Sequence, residues 1–327
     1  LNIDAGKTVM NERATWHGYD FGISCIDTEL FRPGLASCYL IKEGDQAAFV
    51  DTGTSNSVPL LLQVLAEQGL STEQVRWVMP THVHLDHAGG AGALMQLLPN
   101  AELLVHERGA AHMIAPEKLQ AGSMAVYGEQ RYQEAFGLLI PVAEQRVIVV
   151  RDGDTVMLGD RELQFIDTPG HARHHYVVWD SRSRGLFCGD SFGVSYPELN
   201  DGRERFIFPP TTPVQFDPLA WHGTLERLSR FNADYVYLTH YGRHDQVSDF
   251  ANELHKQIDA YVELTERMSS IPDAGPNELA EILMQHCLRA LRYRETRMTQ
   301  DSVRRLLQGD MELNAQGLMH WLRRKTV

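Results

Sequence analysis

Residues 81–90 read THVHLDHAGG, with three histidines and an aspartate inside six positions and a glycine pair behind them. The preceding VRWVMP (75–80) reads as a short apolar strand stopped by Pro80, and the residues from 91 to 98 resume a helical pattern. His82 and His84 are two apart, so at the end of an extended segment both project to the same side. Asp86 and His87 follow where the chain turns into a helix, which aims a carboxylate and an imidazole at a neighbouring point. Gly89 and Gly90 allow the backbone to pass close to the sheet. Imidazole nitrogen and carboxylate oxygen suit first-row metals, so four donors in this order point to a metal site. The competing readings, chance surface histidines or Asp86 as a helix cap, explain fewer of these features.

Working outward, ASCYLIKEGDQAAFVDTG (36–53) is a hairpin turning at Glu43, Gly44 and Asp45, with Asp51 closing its second strand. SVPLLLQVLAEQGL (57–70) is a helix ending near Gly69. Residues 110–139 mix helix and loop around Met113, Met124, Tyr127, Tyr132 and Phe136, an insertion over one face. A second round then opens with RVIVV (146–150) and continues through ELQFIDTPGH, HYVVWD, GLFCGD and DYVYLTHYG, with a helix at 218–231 before the last strand. After Gly242 the pattern becomes helical, broken by a Pro and Gly loop at 272–276. We place a boundary near residue 248, separating 1–248 from a helical extension at 249–327.

Further donors stand at strand ends downstream. The motif HxHxDH of His82, His84, Asp86 and His87 resembles that of the metallo-β-lactamase fold superfamily, as do DTPGH ending at His171, FCGD ending at Asp190 and LTHYG around His240. The resemblance spans residues 37–242 and implies an α/β fold, the αββα sandwich, with a C-terminal helical extension. It implies two divalent metal ions (Zn, or Fe or Mn), the first held by His82, His84 and His171 and the second by Asp86, His87 and His240, with Asp190 bridging. Asp51, in FVDTG, matches an earlier motif of the family and either orients a ligand histidine or caps a turn. Where the family commonly continues PGH with Thr and a small residue, this chain has Ala172, Arg173 and His174, which puts the hydrogen bonding around His171 in question. His174 and His175 are read as supporting residues, Cys188 as a packed small hydrophobe, and His106, His112, His222 and His255 as structural or exposed.

Two metals about 3.5–4 Å apart share a water and lower its pKa toward about 7, so the implied activity is metal-dependent hydrolysis by a bridging hydroxide. Asp86 would ligate and help orient that hydroxide. Aspartate at 190, where the best-known true β-lactamases have cysteine, agrees with the glyoxalase II-like, lactonase and phosphodiesterase branches. A thiolate leaves with little acid assistance, which favours a thioester or related acyl substrate. The alternatives are a lactone or phosphodiester on the same site, a mononuclear iron dioxygenase of the persulfide-oxidising type using His82, His171 and Asp190, or a sensor acting through its tail. The loop from Ser191 to Pro218 carries Phe192, Tyr196, Phe206, Phe208 and Phe216, which either wall a pocket or anchor the loop. The helical tail resembles the additions of glyoxalase II and of quinolone-signal thioesterase-like relatives, which cover the site or make dimers.

Composition sets outer bounds. Over 327 residues the formal charge is −13, against a duplex nucleic-acid binder and in favour of small-molecule partners. Residues 281–327 run the other way, with nine Lys or Arg against five Asp or Glu, most simply a solvated face and, if near the metals, attractive to an anionic carrier such as coenzyme A or glutathione. No apolar run approaches the roughly 18–20 residues that span a bilayer. Four cysteines without CxxC spacing imply no disulfide framework, so a cytoplasmic setting is expected. The opening LNIDAGKTVMNERATW lacks a basic segment followed by an apolar one, so no leader is expected there, although residue 1 is not Met.

Overall fold

The computed structural model describes residues 13–200, 205–211, 213–268, 275–294 and 296–325. The leader reading falls largely on residues 1–12 and most of the Pro and Gly loop on 269–274, both outside the described residues, as is the side chain of Tyr127.

Two sheets face each other. In the first, β1 (Trp16–Gly18), β2 (Ile23–Asp27), β3 (Ser37–Glu43) and β4 (Gln46–Val50) are antiparallel neighbours. To β4 are added β5 (Val75–Met79), β6 (Glu102–His106) and β7 (Val147–Val150), all parallel. The second holds β8 (Thr155–Leu158), β9 (Arg161–Asp167), β10 (Tyr176–Asp180) and β11 (Gly185–Gly189), antiparallel in sequence, then β12 (Tyr235–Leu238) parallel to β11 and β13 (Gly242–His244) as the far edge. Val147–Val150, expected to open the second round, instead closes the first sheet against β6. The crossover of residues 107–146 is long enough for the parallel return that such a pairing needs.

Strand alternation builds the layers. On β3 and β4, Tyr39, Ile41, Ala48 and Val50 point into the space between the sheets, where they meet Phe165, Tyr176, Phe187 and Tyr237. Their neighbours Cys38, Leu40, Ala47 and Phe49 point outward against helices α1 (Val58–Glu67), α2 (Leu85–Ala88) and α3 (Ala91–Leu97). The second sheet repeats the rule: Val177, Leu186, Cys188, Val236 and Leu238 face outward. A period of two with both faces apolar is what a strand buried on both sides requires. The hairpin turn falls at Gly44, with φ of 58°. Residues 110–136 form α4 (Ala110–Ile114), α5 (Glu117–Tyr127) and α6 (Glu129–Phe136), tied to the loop after β4 by Asn56, whose amide donates to the Glu134 carbonyl at 3.1 Å.

The outer face of the second sheet is roofed by α7 (Pro218–Ser229), α8 (Val247–Met268), α9 (Pro276–Tyr293) and α10 (Gln300–Lys325). Asp217 caps α7, accepting from the Ala220 N–H at 3.1 Å, and the helix stops two residues before its expected end. Leu279, Leu283, Cys287 and Leu291 on α9 and Val303, Leu307, Met311 and Ala315 on α10 recur every fourth residue and are buried. These stripes share one hydrophobic cluster with Leu186 and Cys188 of β11 and with the aromatics of the 191–218 loop. Burying side chains of this size contributes about 1.5–3 kcal/mol each, so the roof is fastened to the sheet rather than hung from it. Among the described residues no helix is long and apolar enough to cross a membrane.

Candidate metal centre

The strands of both sheets end at one rim, and the predicted donors meet there. His82 and His84 stand on the loop after β5, which ends at Met79, so the loop rather than strand alternation sets their convergence. His84 Nδ1 lies 2.8 Å from His82 Nε2 and 3.1 Å from His171 Nε2. Asp190, just past β11, points Oδ2 at His171 Nε2 (3.2 Å) and Oδ1 at His87 Nε2 (3.2 Å). His240 Nε2 is 3.3 Å from Asp86 Oδ2 and 3.5 Å from Asp190 Oδ1. The side chains fall into two groups able to hold an ion, His82, His84, His171 and Asp190 in one and Asp86, His87 and His240 in the other. One carboxylate oxygen of Asp190 faces each group. Asp86 is the more open of the two carboxylates, with 28% of its side chain exposed against 4% for Asp190.

The remaining ring nitrogens are held by the fold. His171 Nδ1 donates to the Pro210 carbonyl at 2.7 Å and His240 Nδ1 to the Leu35 carbonyl at 2.8 Å. A carbonyl only accepts, so each proton sits on Nδ1 and each Nε2 lone pair faces the centre. His87 Nδ1 lies 2.9 Å from Asp51 Oδ2. Asp51 also accepts from the Thr81 N–H, from Thr81 Oγ1 and from Thr239 Oγ1, so the buried carboxylate ties the ends of β4, β5 and β12 to one histidine. Gly90, read as a close-approach glycine, donates to the Gly53 carbonyl, and a Cβ there would lie 2.6 Å from the Thr54 carbonyl oxygen.

Burial, joined by the surrounding imidazoles, holds His82 and His84 well below the usual histidine range, and burial lowers His171 as well. In the second group burial is outweighed: Asp86, Asp190 and Asp51 push His87 well up, and Asp190 and Asp86 raise His240. The same pairings, against the opposing effect of burial, draw Asp86 and Asp190 far below the ordinary carboxylate range. One group thus collects lone pairs and the other collects protons between carboxylates. A divalent cation relieves both, because ligation requires neutral imidazole and ionised carboxylate. His87 Nε2 and Asp190 Oδ1 are buried without a hydrogen-bond partner, as atoms that serve as metal ligands would be.

The neighbouring histidines act as supports. His175 Nε2 accepts from the Asp190 N–H at 3.1 Å, and its Nδ1 meets Thr168 and Ser191. Gly189 lets this happen, since a Cβ at its φ of 48° would lie 2.6 Å from His175 Nε2. His174 is buried beside His84, its rings 5.5 Å apart from that residue's, and burial lowers its pKa to about 3. Cys188 is fully buried, its thiol pushed well up by burial, and so packs as a hydrophobe. Phe192, Phe206, Phe208 and Phe216 are buried in the core beneath the helical roof, so they anchor the loop; the Tyr196 ring stands 6.5 Å, centre to centre, from that of His240.

Some partnerships escaped the sequence. His222 and His255 were without evident partners, yet their Nδ1 atoms lie 2.6 Å apart across α7 and α8, with Asp259 on His222 Nε2. His106 pairs with Asp167 at 2.9 Å. His222 lies on one helix and His255 and Asp259 on another, and positions in separate helices carry no local signal that they meet. Within the basic tail, Arg294, Arg304 and Lys325 pair with Glu253, Glu281 and Glu266, and Arg324 donates to the Phe216 carbonyl, so much of that charge is already engaged within the chain.

Known proteins are similar to this chain in sequence and in fold. The metallo-beta-lactamase fold-containing protein ST1585 of Sulfurisphaera tokodaii is 27% identical over 213 residues, 64% of this chain and 74% of its own length. The crystal structure of ST1585 superposes with a TM-score of 0.63 at 23% identity, covering 91% of this chain and 98% of that one. Acyl-coenzyme A thioesterase MBLAC2 of Bos taurus is 28% identical over 191 residues, 52% of this chain and 63% of its own length. Hydroxyacylglutathione hydrolase of Hahella chejuensis is 28% identical over 202 residues, 61% of this chain and 58% of its own length. The chain thus spans less than two thirds of either of these two enzymes. The pattern of the Metallo-beta-lactamase superfamily matches residues 31–240, well over half of the sequence, and the chain belongs to that superfamily.

Proposed function

We propose that this protein is a metal-dependent hydrolase with two metal ions, acting on a thioester or a related acyl compound. One observation carries the reading: Asp190 presents one oxygen to each of two separate donor groups, which a single-ion site does not need. His82, His84 and His171 would hold the first ion, Asp86, His87 and His240 the second, and Asp190 both. When bound, such ions supply a hydroxide nucleophile at neutral pH and polarise the acyl oxygen. The residues of the chain do the rest. Asp51 keeps the His87 proton on Nδ1, Pro210 and Leu35 do the same for His171 and His240, and Asp86, the more exposed carboxylate, faces the approach and orients the attacking water.

The thioester preference rests on leaving-group chemistry and on kinship. A thiol of pKa about 8.5 departs as thiolate without a dedicated acid. Two relatives bear the names of an acyl-coenzyme A thioesterase and a hydroxyacylglutathione hydrolase, and each of those substrates joins an acyl group to sulfur. The proposal includes a small-molecule substrate rather than nucleic acid or membrane, a cytoplasmic setting, and self-association through the helices after residue 248. The test is a panel of acyl-coenzyme A, acyl-glutathione, lactone and phosphodiester substrates on protein loaded with Zn, Fe or Mn. Thioester turnover that disappears on chelation is expected. Turnover confined to the phosphodiester, or oxygen uptake with one iron per chain, would replace the reading.

A further inference from the structure

We infer that helix α10 sets the geometry of the metal centre from outside it, with Asn314 the positioning residue for His171. The inference rests on the reading of His171 as a metal ligand. On the side away from the other donors, His171 is aimed by the bond from its Nδ1 to the Pro210 carbonyl. Pro210 lies in the irregular loop between β11 and α7, where, among the described residues, the one ladder contact is the isolated bridge of Val194 with Phe208. Its position is fixed instead by Asn314, whose bonds bracket it on both sides. The Asn314 side-chain amide donates to the Pro209 carbonyl at 3.2 Å, and its Oδ1 accepts from the Thr211 N–H at 2.7 Å. Thr211 Oγ1 returns a bond to the Asn314 carbonyl at 3.1 Å. Asn314, Thr211 and His171 are all buried, so water does not compete for these groups.

The side-chain chemistry is specific. A primary amide offers a donor and an acceptor side by side without depending on pH, and leucine of nearly equal volume would serve the apolar stripe of α10 without the cost of burying a polar group. One turn earlier on the same face, Asp310 Oδ1 accepts from the Tyr196 hydroxyl at 2.9 Å. Tyr196 stands edge-on to His240, and the adjacent Ser195 N–H donates to the His240 carbonyl at 2.5 Å. Residues 310 and 314 therefore reach one donor group each, through two parts of one loop. The helical tail, read from sequence as a cover or a dimer surface, is by this inference part of the scaffold of the site.

The experiment compares the full chain with Asn314→Leu, Asn314→Asp and, on the same helix, Leu318→Ala, whose side chain is buried in the core but makes no bond to the loop. Zinc affinity is measured by competition with a chelator of known strength, and cobalt-loaded protein is read by its visible spectrum. Asn314→Leu is expected to bind its weaker zinc about 10–100-fold less tightly and to change the cobalt spectrum. Asn314→Asp, which keeps the acceptor for Thr211 and drops the donor to Pro209, should fall between, and Leu318→Ala should match the parent in affinity even where it melts lower. Should Asn314→Leu not fold, Asn314→Asp carries the test alone, with a weakening of about tenfold expected. Parental affinity and spectrum in the folded Asn314 variants, or a loss in Leu318→Ala as large as theirs, overturns the inference. A parent chain that takes up no zinc, cobalt, iron or manganese overturns the ligand reading instead.

Discussion

Asp51 shows how much one side chain can hold. It has a backbone φ of 58°, is fully buried, and takes hydrogen bonds from Thr81 and Thr239 while facing His87. Altering the outer-shell carboxylate that supports a metal-ligating imidazole weakens metal binding by about 10–100-fold. Asp51→Asn is therefore expected to bind its second zinc within that range of weakening, read by chelator competition, while keeping a folded far-ultraviolet spectrum. Unchanged affinity would return Asp51 to the role of a turn cap. His84 differs, because its Nδ1 lies within 3.1 Å of both His82 Nε2 and His171 Nε2. His84→Ala should lower the metal content from two ions per chain to one or none, counted by elemental analysis; two retained ions would remove His84 from the ligand set.

At the scale of elements, the pairing of β9 with β10 carries a buried ion pair. Arg161 is fully buried, donates from Nε to Asp180 Oδ1 at 2.8 Å and reaches back to the Phe21 carbonyl at 2.7 Å. Truncating one partner strands the other charge, at a cost of about 3–5 kcal/mol. Arg161→Ala should show that loss in urea unfolding, and a change under about 1 kcal/mol would mean that water reaches Asp180. Helix α10 supplies the pH dependence. Burial raises Asp310 from 3.8 to about 6, with Tyr196, His240 and Arg32 pulling the other way. The folded state thus holds this proton to a higher pH than the unfolded chain, so the stability that Asp310 contributes falls as pH rises through the interval from about 4 to about 6. Asp310→Asn, which keeps an acceptor for Tyr196, should melt increasingly above the parent as pH rises across that interval and hold a constant margin beyond it. A margin independent of pH would show that Asp310 ionises in the fold as it does in water.

For the molecule as a whole, the two sheets bring donors from both halves of the chain to one rim, so metal binding and folding are linked. A metal that binds the folded chain at a concentration 100 times its dissociation constant adds about 2.7 kcal/mol. Removing metal with a chelator should lower the melting temperature, and restoring zinc should return it. Equal melting with and without metal, in protein shown to bind it, would mean that the unfolded chain binds as tightly.

The sequence by itself marked the candidate donors and most of the strands. HxHxDH, DTPGH, FCGD and LTHYG lie at or just past strand ends, and near-continuous apolar runs within 36–53 and 176–189 mark strands buried on both faces. These signals are local, since a strand's period and a turn's residue types are written in consecutive positions. Only the tertiary structure decided which partners each donor meets. The placing of Val147–Val150 in the first sheet, the bond from His171 to Pro210, the clamp of Asn314 on that loop and the His222–His255 contact all join residues far apart in the chain. A buried asparagine on a helix reads in sequence as one polar residue in an apolar stripe. Its meaning depends on which carbonyl and which N–H lie opposite, and packing alone brings those there.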